Sequence, residues 1–348
     1  MNKDFTIEKQ SIGYLRSARY FFIWVVILTL FISFESCDVE EVPEEPPVYT
    51  TVNVPKFEGD SAYMYVKKQV DFGPRVPNSE AHRQCKDWFV QQFKKFGADV
   101  IEQDFQAEAY TGELLNGTNV IAQYNPKERK RIVLAAHWDS RHIADSPLST
   151  ERQGEPILGA DDGASGVGVL LEIARNLHKY PIGMGVDLIL FDAEDYGNDD
   201  SSARDMFSWC LGSQHWSRNL HAKNYKPEYG ILLDMVGAKD ARFAKDQISM
   251  QYAPQVMNKV WKLAKSMKKN NYFVDQPTTI GMDDHYMVNT IANIPMIDII
   301  NKPVNTETGF GDYWHTHNDD MDVIDPATLQ ASGQVVLAVV YRENNGTF

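Results

Sequence analysis

Cysteine is scarce: Cys37, Cys85 and Cys210 are the only three in 348 residues. That excludes a disulfide-stapled scaffold and a cysteine-built zinc site. Basic charge is short as well. Thirty-four Lys and Arg face 48 Asp and Glu, a net charge of −14 with His neutral. This is the wrong sign for a nucleic-acid partner, which needs a basic footprint. A long apolar run is also missing. The most apolar stretch, Tyr20 to Phe34, has 15 residues, against the roughly 20 that a bilayer-spanning helix needs. No internal repeat is present, so a solenoid is excluded. What remains is 43% hydrophobic and 24% charged, the composition of a globular enzyme long enough to bury a large core.

Lys3, Lys9, Arg16 and Arg19 precede the apolar run, and Cys37 follows it. This order predicts a signal peptide over residues 1–36 and lipid attachment at Cys37. An uncleaved signal anchor and plain secretion are the alternatives. The expected product is an exported bacterial envelope protein, on the periplasmic or surface side, held to the membrane by a lipid anchor only. Residues 37–55 are acidic and proline-rich without periodicity, which predicts a solvated tether. The folded domain is expected over 56–348.

Within that domain, short β-branched runs alternate with helical patterns. Strands are predicted at 98–108, 117–124, 131–137, 186–192, 230–236 and 294–300. Helices are predicted at 60–72, 79–97, 163–179, 213–220, 254–270, 283–292 and 326–342, with Ser79 as a cap and Gly97 as a stop. The alternation implies an α/β fold: one domain, a mostly parallel central sheet, helices on both faces.

Open α/β sheets carry their sites at the carboxyl ends of strands. Residues 132–136 (IVLAA) are followed by His137, Trp138 and Asp139. LILFDA is followed by Glu194 and Asp195, and GILL by Asp234. LGADDGASGVG brings Asp161 and Asp162 to a helix start, and WHTH supplies His315 and His317. Taken singly, each has a plain explanation: Asp162 as an N-cap, Glu194–Asp195 as loop charge, His315 as a loop histidine, Asp139 as an acceptor for a neighbouring amide. Converging on one rim, two carboxylates and an imidazole form an O/O/N set that suits zinc with one position open. In the Glu194–Asp195 pair one member can bind metal while the other handles protons, its pKa raised by burial and by neighbouring acids.

HWDS, GADDGASG, LFDAED, LLDMVGA, DDH and WHT, in this order, resemble the zinc aminopeptidase-like superfamily, and within it the animal-type glutaminyl cyclases. The resemblance runs from about Gly73 (GPRVPNS) through the final helix. It implies Asp162, Asp195 and His315 as metal ligands, Glu194 as the general acid/base and Asp234 and Asp283 as paired aspartates beside it. It further implies Trp314 as one wall of the substrate pocket and Trp209 as the other. Two departures stand out. Asp195 takes the place of a usual Glu, and Ala136 lies where animal cyclases carry a disulfide.

The resemblance implies a one-zinc glutaminyl-peptide cyclotransferase. Its partners would be peptides or proteins with N-terminal Gln, converted to pyroglutamate with release of ammonia. The main alternative is a two-zinc aminopeptidase that adds His137 and Asp234 as ligands. A non-catalytic binding domain on the same fold is a third. The segments GPRVPNS and DDH and the Trp before His315 favour the first.

Overall fold

The computed structural model describes residues 52–199, 205–304 and 306–348. The predicted signal segment, Cys37 and the tether as far as residue 51 lie outside them. Chain order is α1 (Gly59–Val70), α2 (Glu80–Lys95), β1 (Asp99–Glu108), β2 (Leu114–Tyr124), β3 (Arg131–His137) and α3 (Ala164–Lys179). Then come β4 (Gly185–Phe191), α4 (Leu211–Arg218), β5 (Gly230–Asp234), β6 (Phe243–Asp246), α5 (Gln247–Tyr252) and α6 (Pro254–Ser266). β7 (Phe273–Thr278), α7 (Asp284–Met287), β8 (Met296–Ile300) and α8 (Pro326–Asn344) complete the fold.

Six strands form the main sheet in the order β1-β2-β4-β3-β5-β8. β1 and β2 run antiparallel at one edge, and β4, β3, β5 and β8 are mutually parallel. β3 and β4 read as mostly apolar runs because helices cover both faces, and every residue of each is buried, Asp187 of β4 included. Alternate side chains divide the work. Ile132, Leu134 and Ala136 join the core beneath α1, α2, α3 and α8. Val133 and Ala135 meet Trp216 of α4 and Val288 on the other face. Each large apolar side chain so buried stabilises by roughly 1.5–3 kcal/mol. A charged pair closes the far end of the sheet, where Arg131 donates to Asp187 at 2.7 and 2.8 Å.

α3 is held unusually close to the sheet. A Cβ at Gly166 would lie 2.2 Å from the Leu233 carbonyl oxygen. Glycine there lets the helix start sit directly against β5, and this places the preceding Asp161–Asp162 turn over the strand ends.

The structure adds elements that the sequence pattern does not show. β6 and β7 form a separate two-stranded parallel pair. β7 carries Pro277 and is mostly exposed, so neither alternation nor an apolar run marks it. The predicted helix 283–292 begins at Asp284, widens into a π-turn over Val288–Ala292 and stops at Asn293 in the left-handed region. Val52 and Val54 already pack against the core, a few residues ahead of the expected domain start. Cys85 and Cys210 are buried and free. Among the described residues no helix is long and apolar enough to cross a membrane.

Candidate active site

The parallel strands deliver their carboxyl ends to one rim, and the register aligns them. His137 of β3 pairs with Phe191 of β4, and Asp234 of β5 with Ile300 of β8. Asp162, Asp195 and His315 meet there although they are far apart in sequence. One ligand atom from each lies within 4.8 Å of the others, and all three residues are buried. His315 Nε2 is 3.1 Å from Asp195 Oδ1 and 3.7 Å from Asp162 Oδ2. A second group shares Asp162: His137 Nε2 lies 3.0 Å from Asp162 Oδ1 and 3.3 Å from Asp234 Oδ1.

The backbone is bent hard at each of these places. Ala193, Met235 and His315 all have positive φ, at 51°, 47° and 54°, a region that costs a non-glycine residue free energy. Hydrogen bonds hold the turn at β4. The Asp139 carboxylate accepts the amide N–H groups of Glu194 at 3.0 Å and Asp195 at 3.1 Å. The same service is given to the Asp161–Asp162 turn by Asp319, which accepts their N–H groups at 2.8 and 3.2 Å. Asp161 itself points away from the site, accepting from Gly237 and Ala238 amides and from Tyr313. Only the second aspartate of GADDG therefore faces the cluster. Gly163 gives His137 its place, since a Cβ there would lie 2.5 Å from the imidazole.

His315 is fixed from behind. Its Nδ1 is 3.1 Å from Asp145 Oδ1, and Arg141 Nε donates to the same carboxylate at 3.1 Å. This carboxylate–imidazole arrangement leaves Nε2 facing the Asp162 and Asp195 carboxylates. Trp314 stacks on the ring at 3.7 Å and Trp209 lies parallel at 6.2 Å. Asp145 and Arg141 were not legible as site residues. They sit in a loop, SRHIADSP, three residues or more past the end of β3 and without a spacing that marks a ligand.

The electrostatics fit a site that handles protons and a cation. Burial, then the neighbouring Asp195, Asp284 and Asp283, push Glu194 well above the carboxylate range, against the pull of His137. Burial raises Asp234 to about 8, with Asp162 and Asp283 adding to it. Burial would lower His315, but Asp195 and Asp145 raise it to about 9. So many carboxylates around two imidazoles call for a cation. One buried oxygen of the triad, Asp195 Oδ2, has no hydrogen-bond partner. The donor set, two carboxylates and one imidazole with an unsatisfied oxygen, fits a zinc ion. Glu194 leaves the same turn in another direction and accepts from Cys210 Sγ at 3.2 Å.

These groups floor a cavity of about 580 Å³. All eight residues expected at the site line it: Asp162, Glu194, Asp195, Trp209, Asp234, Asp283, Trp314 and His315. His137 does not; it lies behind Asp162. Ile300, Phe310 and Met206 add apolar wall, and Lys302 adds an ammonium. The sequence reading had not identified these four.

A mixed α/β sheet with an acid-and-histidine cluster at its carboxyl edge defines a zinc-exopeptidase-like architecture. The chain belongs to peptidase family M28, whose model matches residues 119–340. Among solved structures it is similar to a glutaminyl cyclase of Bacteroides thetaiotaomicron bound to N-acetylhistamine. That match has 48% identity and a TM-score of 0.81, and covers 83% of this chain and 99% of the other. A leucine aminopeptidase precursor from the same organism is similar at 47% identity and a TM-score of 0.80, covering 84% of this chain and 99% of the other. Glutaminyl-peptide cyclotransferase of Drosophila melanogaster is 24% identical, covering 85% of each chain.

Proposed function

We propose that this protein is a zinc-dependent glutaminyl-peptide cyclotransferase. One observation carries the reading. The Asp162, Asp195 and His315 triad, with an unpartnered oxygen on Asp195, lies beside the proton-holding carboxyl of Glu194 in a pocket lined by Trp209 and Trp314. The 48% identical glutaminyl cyclase supports it.

Asp162, Asp195 and His315 would hold the zinc. When bound, zinc supplies Lewis-acid polarisation of the glutamine γ-carbonyl and stabilises the developing oxyanion. The tryptophan walls orient the glutamine side chain and keep bulk water out, so that the α-amine, not water, is the nucleophile. Glu194 takes a proton from the α-amine as its nitrogen bonds to the carbonyl carbon of the γ-carboxamide (Cδ). It returns that proton to the amide nitrogen as the carbon–nitrogen bond breaks and ammonia leaves. Asp283 and Asp234 are assigned to the amine side, where Asp283 is one of the neighbours that restrain Glu194 from giving up its proton early.

A two-metal aminopeptidase is the second reading, favoured by the group His137, Asp162 and Asp234 and by the aminopeptidase precursor among the relatives. Purified protein is expected to hold one zinc per chain and to release ammonia from Gln-peptides faster than it hydrolyses Leu-amide. Two zinc ions with Leu-amide as the better substrate would give the site to the second reading.

We also propose the signal peptide at 1–36, the lipid-bearing Cys37, the tether over 37–55 and the catalytic domain over 56–348. The observation behind it is the basic, apolar, then Cys order of the leader. Cys37→Ser is expected to move the protein from the membrane to the soluble fraction. A parent protein whose processed N-terminus lies beyond Cys37 would refute the anchor.

A further inference from the structure

The charge of the pocket is one-sided. Six of its lining residues are acids, Asp162, Glu194, Asp195, Asp199, Asp234 and Asp283, and one is a lysine, Lys302. Asp162, Glu194, Asp195, Asp234 and Asp283 surround the reacting end. Lys302 lies elsewhere, two residues past β8, at the end of a column of rings. His315 stacks on Trp314 at 3.7 Å, Trp314 on Phe310 at 4.8 Å, and the Lys302 Nζ sits 3.5 Å over the Phe310 ring.

Among the described residues no carboxylate lies within ion-pair distance of that ammonium, which rests over the Phe310 ring. Lys302 is half-buried, and burial alone brings it down to about 8, so it remains charged at neutral pH. A partly desolvated lysine with no acid beside it, in a pocket otherwise crowded with acids, is a group waiting for an anion.

We propose that Lys302 is a specificity residue that receives a carboxylate carried by the residue following the substrate's N-terminal one. The inference rests on the cyclase reading for the order of the substrate. With the N-terminal glutamine at the His315 end, an extended chain advances about 3.3–3.6 Å per residue, which carries the second residue outward along the ring column. Opposite charge at the two ends of the pocket also sets direction: the α-amine goes to the acids, the carboxylate to the lysine. The carboxylate can be an acidic side chain or the free C-terminus of a dipeptide.

The test compares four substrates: Gln-Glu-Ala-amide, Gln-Lys-Ala-amide, Gln-Ala-Ala-amide and the dipeptide acid Gln-Ala. The parent protein is expected to favour Glu over Lys at the second position by about 2- to 5-fold in kcat/KM, the scale of one partly exposed ion pair. Lys302→Glu should invert that ratio, and Lys302→Arg should keep it. Preference for Gln-Ala over Gln-Ala-Ala-amide would assign the C-terminal carboxylate as a further source. A lysine that merely braces Phe310 would, on replacement, slow all four substrates alike and leave the ratio unchanged. That result, or a parent ratio near one, overturns the proposal. Should the parent hydrolyse Leu-peptides instead, the cyclase reading fails alone, and the Glu-to-Lys ratio is measured on Leu-Glu-Ala-amide and Leu-Lys-Ala-amide. Calorimetric binding of the same peptides reads the ratio where turnover is absent.

Discussion

His315→Ala protein should purify without tightly bound zinc and without measurable cyclisation. Removal of the imidazole leaves two carboxylates, Asp162 and Asp195, as the triad's donors. An O/O pair cannot hold zinc as an O/O/N set does. The fold is expected to survive, because His315 sits in a loop outside the sheet. A graded companion is Asp145→Asn. It keeps the shape of the group behind His315 Nδ1 and removes its charge, and the metal affinity should fall by about 10- to 100-fold, the range for a partner of a metal-bound histidine. Zinc content by elemental analysis and a competition titration with a chelator read both. Full zinc retention by His315→Ala would remove this residue from the ligand set.

Glu194→Gln should keep its zinc and lose roughly 10²–10⁴ in kcat, the usual contribution of a general acid/base. The amide matches the carboxyl in size and can still accept from Cys210 Sγ, but it cannot carry a proton from amine to leaving group. Asp195→Asn, one residue on, should lose zinc as well as rate, since its Oδ1 faces His315 at 3.1 Å and its Oδ2 has no partner inside the protein. The pair thus separates proton transfer from metal binding at adjacent positions. Zinc retained in both variants, with activity lost only in Asp195→Asn, would reverse the two assignments. In the parent, the raised pKa of Glu194 has a clear cause: burial, then Asp195, Asp284 and Asp283. Neutralising Asp283 as Asn should bring the pKa of Glu194 down and move the acidic limb of the kcat profile to lower pH. Without the neighbouring charge, Glu194 ionises more readily and its base form persists further into acid.

The strands of the main sheet, its helix cover and the acids at its rim were all legible in the sequence. A buried parallel strand is mostly apolar, and a chemical group that follows such a run lands at the carboxyl edge. That reasoning finds His137 after β3, Glu194 and Asp195 after β4 and Asp234 after β5 without knowledge of the order in which the strands pair. The motifs together also pointed to the family. Which acids face the cavity was a different matter. Asp161 and Asp162 are neighbours of the same type, yet amides of the β5 loop capture Asp161 and leave Asp162 to face His137 and His315. The Asp145–Arg141 support behind His315, the capture of two backbone N–H groups by Asp319 and the ring column ending at Lys302 all join loops far apart in sequence. Loops carry no periodicity, so nothing local announces which distant partner a side chain meets. Composition, hydrophobic period and the residues at strand ends therefore determined the architecture and the chemistry available to it. Tertiary packing alone decided which carboxylates share Asp162's side of the rim, which one keeps a proton, and where the pocket places its single ammonium.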